Sequence, residues 1–389
     1  MTATNADTEF FSRPRIIWAT VGASTHDCRF ITALIELGWS VVLLPFGGMP
    51  PTLPPGLASN SYLHVPDWLG WHEDITVWIP RCVDAISEIE LRFQPTIIHA
   101  GPLTTVAHAV SESTQTPVVA MSWGFDLLRD VENDVQAASK ARETINRVSA
   151  VHVDCRAGTN AAVRLGARPN QVHCIPWGVD LNQFHPPRTR TTHSRVNVLS
   201  ARSLEPLYDV KTTVEGFAIA VSELPTCPLT LTVVGDGSLR AELHEYARDL
   251  GVSESVSWSG RVSEHDLSEL MRSAEIYVAS SLIDGSSIAL LQAMASGLPS
   301  IVPAVGGNIE WVTPGVTGHL FEARDARALG KAIVSVVQSP ERAISMGMAA
   351  RLAVQEQGDW VQNRAKINLM YTSIENMSPQ SKSRSDTAE

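Results

Sequence analysis

Residues 279–307 read ASSLIDGSSIALLQAMASGLPSIVPAVGG and contain the clearest structural signal in the sequence. An apolar strand ends at Ser280, a short loop of Gly and Ser follows, and a helix is predicted to begin near Ser286. Gly297 predicts the end of that helix, directly before a second apolar strand. The first amides of a helix have no partner inside it, so this order indicates an anion site at the end of the first strand. The alternative is that these serines only cap the helix.

The same alternation of short apolar strands with helical patterns runs through most of the 389 residues. It predicts an α/β protein with two doubly wound parallel sheets, because one domain rarely uses such a length. The predicted strands of the first sheet are Arg15–Thr20, Ser40–Leu44, Thr96–His99, Pro117–Met121, Ala150–Asp154 and Gln171–Ile175. Those of the second are Val196–Ala201, Leu229–Gly235, Ser255–Gly260, Glu275–Ser280 and Pro299–Pro303.

The polar stretch HPPRTRTTHS at 185–194 predicts a linker between these two domains. We therefore predict an N-terminal domain at 14–185 and a C-terminal domain at 195–357, facing each other across a cleft. A helix at 358–376 is expected to pack back towards the N-terminal domain. The polar residues 377–389 are predicted to be disordered.

Composition excludes several classes of protein. The formal charge of −11 opposes binding to a phosphate backbone, so no nucleic-acid partner is expected. Five scattered cysteines suit free thiols in a reducing cytoplasm better than a disulfide framework. No basic and apolar leader or bilayer-spanning run is visible, so peripheral membrane association is possible but unsupported.

The 279–307 segment resembles the signature of glycosyltransferase family 4, which consists of retaining GT-B glycosyltransferases. In that family a Glu-Gly-Phe-Gly loop precedes Leu-Glu-Ala-Met-Ala-x-Gly-x-Pro. GGNIEWVTPGVTGHLF at 306–321 resembles the family's Gly-Gly-x-x-Glu and Thr-Gly elements. IPWGVDLNQFHP at 175–186 resembles its Ile-Pro-x-Gly-Val-Asp element. The resemblance implies the GT-B fold and transfer of a sugar from a nucleotide diphosphate sugar.

The resemblance implies that the loop and helix start at Gly285, Ser286, Ser287 and Ile288 hold the donor diphosphate and sugar. Glu310 corresponds to a family glutamate near the donor. A helix N-terminal carboxylate favoured by the dipole is an equally good interpretation of Glu310.

Two donor-binding positions depart from the family pattern. Asp284 stands where the family has a Glu that accepts from hydroxyls of the donor sugar, and Gln292 stands where it has a Glu that binds the ribose. Aspartate keeps a charged acceptor on a shorter arm. Glutamine keeps one neutral carbonyl and loses the charge-assisted bond.

Two basic residues are candidates for binding the departing diphosphate. Arg202 follows the first strand of the second domain, where the family has such an arginine. Lys211 lies about one helical turn beyond the position of the family's lysine and is the weaker candidate, with an ordinary surface lysine as the alternative. Together with Asp284 they form the predicted catalytic set.

Loops at other strand ends complete the predicted donor site. Gly235 and Gly237 belong to a strand-to-helix turn that borders the nucleotide in the family, although such a turn alone is weak evidence. Arg261 and Val262 correspond to the segment that contacts the base through its backbone. Gly22 belongs to the first glycine-bearing loop, near the donor phosphates and the acceptor.

The predicted acceptor side lies in the first domain and comprises His99, Trp123 and Asp126. SWGFD at 122–126 corresponds to a His-Gly-x-Asp element, so Trp123 replaces the family's histidine and could stack on a sugar. His99 ends a strand, and a structural histidine is an equally good interpretation.

No metal or other cofactor is expected to be required. The sequence has no H-E-x-x-H motif, no paired cysteines and no Asp-x-Asp element at the predicted diphosphate site. The predicted partners are a nucleotide sugar, UDP- or GDP-linked, and a carbohydrate, lipid-linked or small-molecule acceptor. The predicted function is therefore retaining glycosyl transfer. Two alternatives stay open, namely another GT-B enzyme such as a nucleotide-sugar epimerase or a phosphorylase, and a catalytically silent nucleotide-sugar-binding subunit.

Overall fold

A computed structural model of the chain describes residues 9–22, 24–48, 50–188 and 195–377. The predicted disordered tail beyond residue 377 and most of the predicted linker lie outside these residues. Backbone contacts divide the chain into two units. The first unit comprises Met1–Asp154, Gly158–Ile175 and Arg364–Glu389, and the second comprises Cys155–Ala157 and Pro176–Asn363.

The first unit is built on a seven-stranded sheet in which every pair of neighbouring strands is parallel. Its strands are β1 (Arg15–Thr20), β2 (Ser40–Pro45), β3 (Leu63–His64), β4 (Ile97–Ala100), β5 (Val118–Met121), β6 (Ala150–Val153) and β7 (Val172–Cys174). They are arranged in the order β3-β2-β1-β4-β5-β6-β7, which is the doubly wound order of nucleotide-binding folds. Five of these strands, β1, β2, β4, β5 and β6, are buried along their whole length, because helices cover both faces.

The helices of this part of the chain follow the predicted alternation. They are α1 (Thr25–Glu36), α2 (Pro55–Ala58), α3 (Ile75–Phe93), α4 (Val106–Ser113), α5 (Val131–Asn133), α6 (Val135–Arg147) and α7 (Arg156–Arg164). Helix α1 begins at a capping box, in which Ser24 accepts from the Asp27 amide and Asp27 accepts from the Ser24 amide.

The second unit contains a six-stranded parallel sheet. Its strands are β8 (Val196–Ala201), β9 (Leu229–Val234), β10 (Val256–Gly260), β11 (Ile276–Val278), β12 (Ser300–Pro303) and β13 (Gly318–Phe321). They are arranged in the order β10-β9-β8-β11-β12-β13. The order reverses between β8 and β11, which makes this the switch point of the sheet, where open α/β sheets bind ligands.

The helices of the second unit are α8 (Val210–Glu223), α9 (Arg240–Asp249), α10 (Glu264–Ser273), α11 (Ile288–Ala295), α12 (Asn308–Trp311), α13 (Ala326–Val337) and α14 (Pro340–Gln357). Helix α15 (Trp360–Met377) follows, and its residues from Arg364 onwards are grouped with the first unit. Two parallel-sheet α/β units, as predicted, are therefore confirmed. The edge strands β3 and β13 had no sequence prediction, since both are short and only partly buried.

Candidate functional site

The polar residues predicted to bind the donor follow the strands on either side of the switch point in the second unit. Arg202 comes directly after β8, and the loop of Asp284 and Gly285 comes after the neighbouring strand β11. Because the carboxyl ends of parallel strands lie at the same edge of a sheet, residues more than 80 positions apart in the chain meet here. The structure thus brings Arg202 and the predicted donor loop together.

Arg202 forms the centre of this cluster. Its Nη2 donates to the Asp284 carboxylate and to the Ser287 hydroxyl. The guanidinium carbon lies 5.4 Å from the centre of the Tyr208 ring. The side chains of Arg202 and Asp284 are only 10% and 14% exposed, so both charges are largely removed from water and depend on each other.

The environment raises the pKa values of three groups in this cluster. Burial raises the pKa of Asp284, and Arg202 offsets part of that rise. Burial opposes the charged form of Arg202, but Asp284 and the hydroxyl-bearing rings of Tyr277 and Tyr208 favour it, so the pKa of Arg202 is raised. Burial also raises the pKa of Tyr277 to about 12, which keeps this phenol neutral.

The loop between β11 and α11 is held by its own side chains. Ser287 is the N-cap of α11, and its Oγ accepts from the Leu290 amide at 3.3 Å. Ser286 Oγ accepts from Trp311 Nε1 at 3.0 Å. The helix begins at Ile288 instead of near the predicted Ser286, because Ser287 takes the capping position. Ser287 therefore has the capping role that the alternative interpretation assigned, and it also contacts Arg202, whereas Ser286 binds Trp311 instead of capping the helix.

Gly235 and Gly237 are required by packing against the backbone that follows β8. A Cβ on Gly235 would lie 2.0 Å from the Arg202 carbonyl oxygen, and one on Gly237 would lie 2.5 Å from the Leu204 carbonyl oxygen. Gly235 also has a φ of +136°, which side chains rarely adopt. The sequence attributed these glycines to close approach of a ligand. In the structure the space that a side chain would need is filled by the backbone that carries Arg202.

Gln292 and Lys211 lie in different surroundings. Gln292 is on α11, one turn after its N-cap, and is 5% exposed. Lys211 is in the first turn of α8 with its side chain half exposed. Its Nζ lies 3.8 Å from the Glu242 carboxylate and 4.6 Å from the centre of the Tyr246 ring. These contacts point Lys211 towards α9, which favours the interpretation of Lys211 as a surface lysine.

The remaining predicted donor residues of the second unit lie on other elements, namely α12 and the segment after β10. Glu310 accepts from the amides of Arg156 and Ala157 at 3.0 and 3.1 Å, so its carboxylate binds backbone within the unit. Arg261 and Val262 follow β10, and Arg261 is exposed while Val262 is half buried.

In the first unit, Gly22 and Trp123 lie at the carboxyl ends of β1 and β5. A Cβ on Gly22 would meet nothing within 4 Å, so this loop leaves open space beside it. Trp123 is half buried, and its Nε1 lies 3.0 Å from where a Cβ on Gly101 would be, at the end of β4. Gly101 and Trp123 therefore lie at the same edge of the first sheet as Gly22.

Asp126 does not face an open surface, contrary to the prediction of an acceptor-side residue. It is fully buried and accepts from the Ser122 hydroxyl at 2.6 Å and from the amides of Trp123 and Leu103 at 3.0 and 2.8 Å. Burial raises its pKa, and these hydrogen bonds offset part of the rise. Asp126 therefore joins the loop that carries Trp123 to the loop after β4.

His99 is also buried, which favours the interpretation of a structural histidine over an acceptor-side role. It has 0% exposure, and its Nδ1 is hydrogen-bonded to the Tyr371 hydroxyl. Its ring stacks on Trp18 at 4.4 Å between centres. Burial, with His152 nearby, lowers the pKa of His99 well below its ordinary value, so the imidazole is neutral.

Sequence reasoning missed the two tyrosines of the Arg202 cluster. Tyr277 lies in the middle of β11 and Tyr208 ends a short turn before α8. The available signal was a polar aromatic residue in the mainly apolar segment EIYVAS, placed just before the candidate loop.

Within the described residues, no helix combines the length and apolar character needed to cross a membrane.

Comparison with known proteins finds a family profile that matches most of the second unit. Residues 187–353 match the profile of a family described as "Glycosyl transferases group 1". Mannosylfructose-phosphate synthase of Agrobacterium fabrum is 27% identical over 181 residues, covering 42% of this chain and 39% of that protein. A GDP-mannose-dependent monoacylated alpha-(1-6)-phosphatidylinositol monomannoside mannosyltransferase of Corynebacterium glutamicum is 23% identical over 322 residues, covering 75% of this chain and 80% of that protein. Other curated relatives are matched over about half of their length, as in 54% for a Mycobacterium tuberculosis mannosyltransferase.

Solved structures agree on the fold. Sucrose-phosphate synthase from Thermosynechococcus elongatus has a TM-score of 0.77 at 18% identity, covering 94% of this chain and 100% of that one. The Anabaena protein HepE in complex with UDP-glucose has a TM-score of 0.74 at 18% identity, covering 92% and 99%. These structures confirm the predicted GT-B fold, and the family profile over residues 187–353 confirms the resemblance to the glycosyltransferase family.

Proposed function

Because residues 187–353 match the glycosyl transferases group 1, we propose that this chain moves a sugar from a nucleotide diphosphate sugar to an acceptor hydroxyl with retention of configuration. One observation supports this proposal above the others. At the switch point of the second sheet, Arg202 is fixed between Asp284 and Ser287 at the start of α11. A buried cation beside helix N-terminal amides suits a diphosphate.

Arg202 stabilises the leaving diphosphate in the proposed reaction. Negative charge builds on the phosphate oxygens as the bond to the sugar breaks, and a positioned guanidinium needs no reorganisation at that moment. The amides of residues 285–288 supply further donors at the same place. Since Asp284 already neutralises Arg202, the donor shares the guanidinium with Asp284 instead of meeting a free charge.

Asp284 orients the donor sugar by accepting from its hydroxyls. Its carboxylate is bound by Arg202, so it is poorly placed to act as a free nucleophile. The acceptor hydroxyl therefore attacks from the face that the diphosphate leaves, and a phosphate oxygen takes its proton. No side-chain base is required in this scheme, which agrees with the structural roles of His99 and Asp126.

The donor is UDP- or GDP-linked, and the acceptor is a carbohydrate, a lipid-linked sugar or a small molecule. HepE was crystallised with UDP-glucose, whereas the Corynebacterium relative depends on GDP-mannose. We propose no obligatory divalent metal, since Arg202 and the helix amides can neutralise the diphosphate. A reducing cytoplasm is the proposed setting, because the five scattered cysteines of the sequence form no C-x-x-C pair or other disulfide framework.

Turnover measurements with the full chain test the proposal. Thermal shift with UDP and GDP selects the nucleotide, and the matching sugar donors are then incubated with candidate acceptors in EDTA, with anomeric configuration read by NMR. We expect transfer with retention and little effect of the chelator. Conversion of donor without acceptor would indicate an epimerase instead. Donor binding with no turnover across the acceptor panel would favour the silent subunit, and an inverted product would overturn the mechanism.

A further inference from the structure

A second cluster of chemically active side chains lies in the first unit, on two packed helices. His108 and Glu112 are four residues apart on α4, and Glu143 is on α6. One ligand atom from each of the three side chains lies within 4.8 Å of the others. His108 is 15% exposed, whereas Glu112 and Glu143 are 48% and 46% exposed. The cluster therefore has one fixed imidazole and two adjustable carboxylates.

Hydrogen bonds determine which nitrogen of His108 faces the carboxylates. The Thr144 hydroxyl donates its proton to the Lys140 carbonyl oxygen at 2.7 Å. Its oxygen, 3.1 Å from His108 Nδ1, must then act as the acceptor, so Nδ1 carries the proton. His108 Nε2 then has the free lone pair and lies 4.0 Å from the Glu112 carboxylate. This is the tautomer and outer hydrogen bond typical of a metal-binding histidine.

The charges around His108 favour a cation at this place. Two carboxylates, those of Glu112 and Glu143, lie beside the imidazole of His108. Arg147 lies 3.2 Å from Glu112 and 3.7 Å from Glu143, so one positive charge is shared by two carboxylates. Lys140 is the other nearby positive group. The carboxylates thus already hold a cation that a metal ion could replace.

We propose that His108, Glu112 and Glu143 bind a divalent transition-metal ion, of which Zn²⁺ is the best match. Imidazole nitrogen and carboxylate oxygen are both ligand types that zinc uses in proteins, and water completes the tetrahedron. Small rotations of the two exposed glutamates bring their oxygens to bonding distance, and Arg147 moves aside. The site ties α4 to α6 and stabilises the first unit.

This site is independent of the proposed glycosyl transfer. Its residues are in the first unit, and the Arg202 cluster is in the second. We therefore assign it no step in the reaction, and binding itself is the readout. The sequence did not predict this site, because Glu143 joins His108 and Glu112 only in the folded chain.

Cobalt and zinc titrations of the full chain test the proposal. We expect a Co²⁺ absorption spectrum typical of four-coordinate nitrogen and oxygen ligands, and calorimetric Zn²⁺ binding near one ion per chain. His108→Ala should abolish both, and Thr144→Val should weaken binding by about tenfold through loss of the outer hydrogen bond. Arg147→Gln should tighten binding, because it removes the competing cation.

Controls separate this site from other metal-binding groups. Cys174 is an exposed thiol and His72 lies outside the cluster, so Cys174→Ser and His72→Ala should leave the affinity unchanged. Circular dichroism and thermal unfolding show which variants fold, and Glu143→Gln serves if His108→Ala does not. No cobalt spectrum or zinc binding in the wild-type chain, unchanged affinity in a folded His108→Ala or Glu143→Gln variant, or weaker binding in Arg147→Gln would each overturn the proposal.

Discussion

Arg202 and Asp284 are 82 positions apart in the chain and form one buried ion pair at the point where the strand order of the second sheet reverses. Each is the principal counter-ion of the other. Removing one partner of a buried pair leaves the second charge without compensation, which costs more than the pair contributes. Substitutions at these two positions are therefore expected to affect stability as well as turnover.

Replacing Arg202 should reduce turnover strongly. Arg202→Ala removes a positioned charge from the leaving diphosphate, at about 3 kcal/mol or roughly 100-fold in rate. It should also lower the melting temperature, because Asp284 stays buried without its partner. Arg202→Lys keeps the charge and should recover more stability than activity, since lysine lacks the planar guanidinium. Near-normal turnover of a folded, donor-saturated Arg202→Ala enzyme would remove this residue from the mechanism.

Two glycine substitutions should separate packing from ligand binding. Gly235→Ala forces a Cβ against the Arg202 carbonyl oxygen and should destabilise the second unit by several kcal/mol, on the order of other strained sites. Gly22→Ala meets open space and should leave stability unchanged. If the Gly22 loop borders the donor, KM for the donor should still rise. Urea unfolding and steady-state kinetics of both variants are the measurements, and an unaltered urea-unfolding curve for Gly235→Ala would contradict the packing argument.

Gln292 offers a test of where the ribose binds. A carboxylate accepts from two hydroxyls and an amide accepts through one oxygen, so Gln292→Glu should maintain or tighten nucleotide binding by about 1 kcal/mol. Burial of Gln292 limits that gain, because a new charge there loses water. Gln292→Ala should weaken binding in a folded protein. Isothermal titration of free UDP or GDP measures all three affinities, and an unchanged alanine variant would place the ribose elsewhere.

Acid should destabilise the first unit through two buried histidines. Burial lowers the pKa of His152 to about 4 and that of His99 well below its ordinary value. An unfolded histidine titrates near 6.5, so below that pH the unfolded chain binds protons that the folded chain does not. Stability is then fully present above about pH 6.5 and falls by up to about 1.4 kcal/mol per pH unit for each histidine as pH decreases. For His152 this window ends near pH 4.

Urea unfolding at several pH values between 7.5 and 4.5 measures this effect. His152→Gln retains a donor for the Ile175 carbonyl oxygen and removes the titrating ring. The slope of stability against pH should decrease by about one proton in this variant. An identical slope in the wild-type and variant proteins would show that His152 does not carry the acid sensitivity.

The sequence was sufficient for the features that depend on local periodicity and turn chemistry. Strands β1 and β8 match their predicted bounds, because each is a short segment made mainly of apolar residues. Glycine and serine at the ends of α11 located the loop that meets Arg202. The placement of Arg202 near the loop of Asp284 was expected from topology, since parallel strands place their carboxyl ends together, but the ion pair between the two residues was not predicted.

The burial of individual side chains could not be predicted from the sequence. His99 and Asp126 each follow or end a strand, as a ligand-binding residue would, and nothing local distinguishes them from one. Their roles depend on partners far away in the chain, Tyr371 for His99 and Leu103 for Asp126. Lys211 likewise pairs with Glu242 of the neighbouring helix α9, and no spacing rule predicts that contact.

Helix α15 is grouped with the first unit from Arg364 onwards, and this affects the order in which the chain can fold during synthesis. Tyr371 is fully buried beside His99, and Asn368 accepts from Trp39 Nε1 at 2.8 Å, so the first unit includes side chains encoded at the end of the chain. The ribosome delivers all of Pro176–Asn363 before these residues emerge. The unit that begins first is thus completed last, and a nascent chain that stops at residue 363 leaves His99 without the hydroxyl that Tyr371 provides.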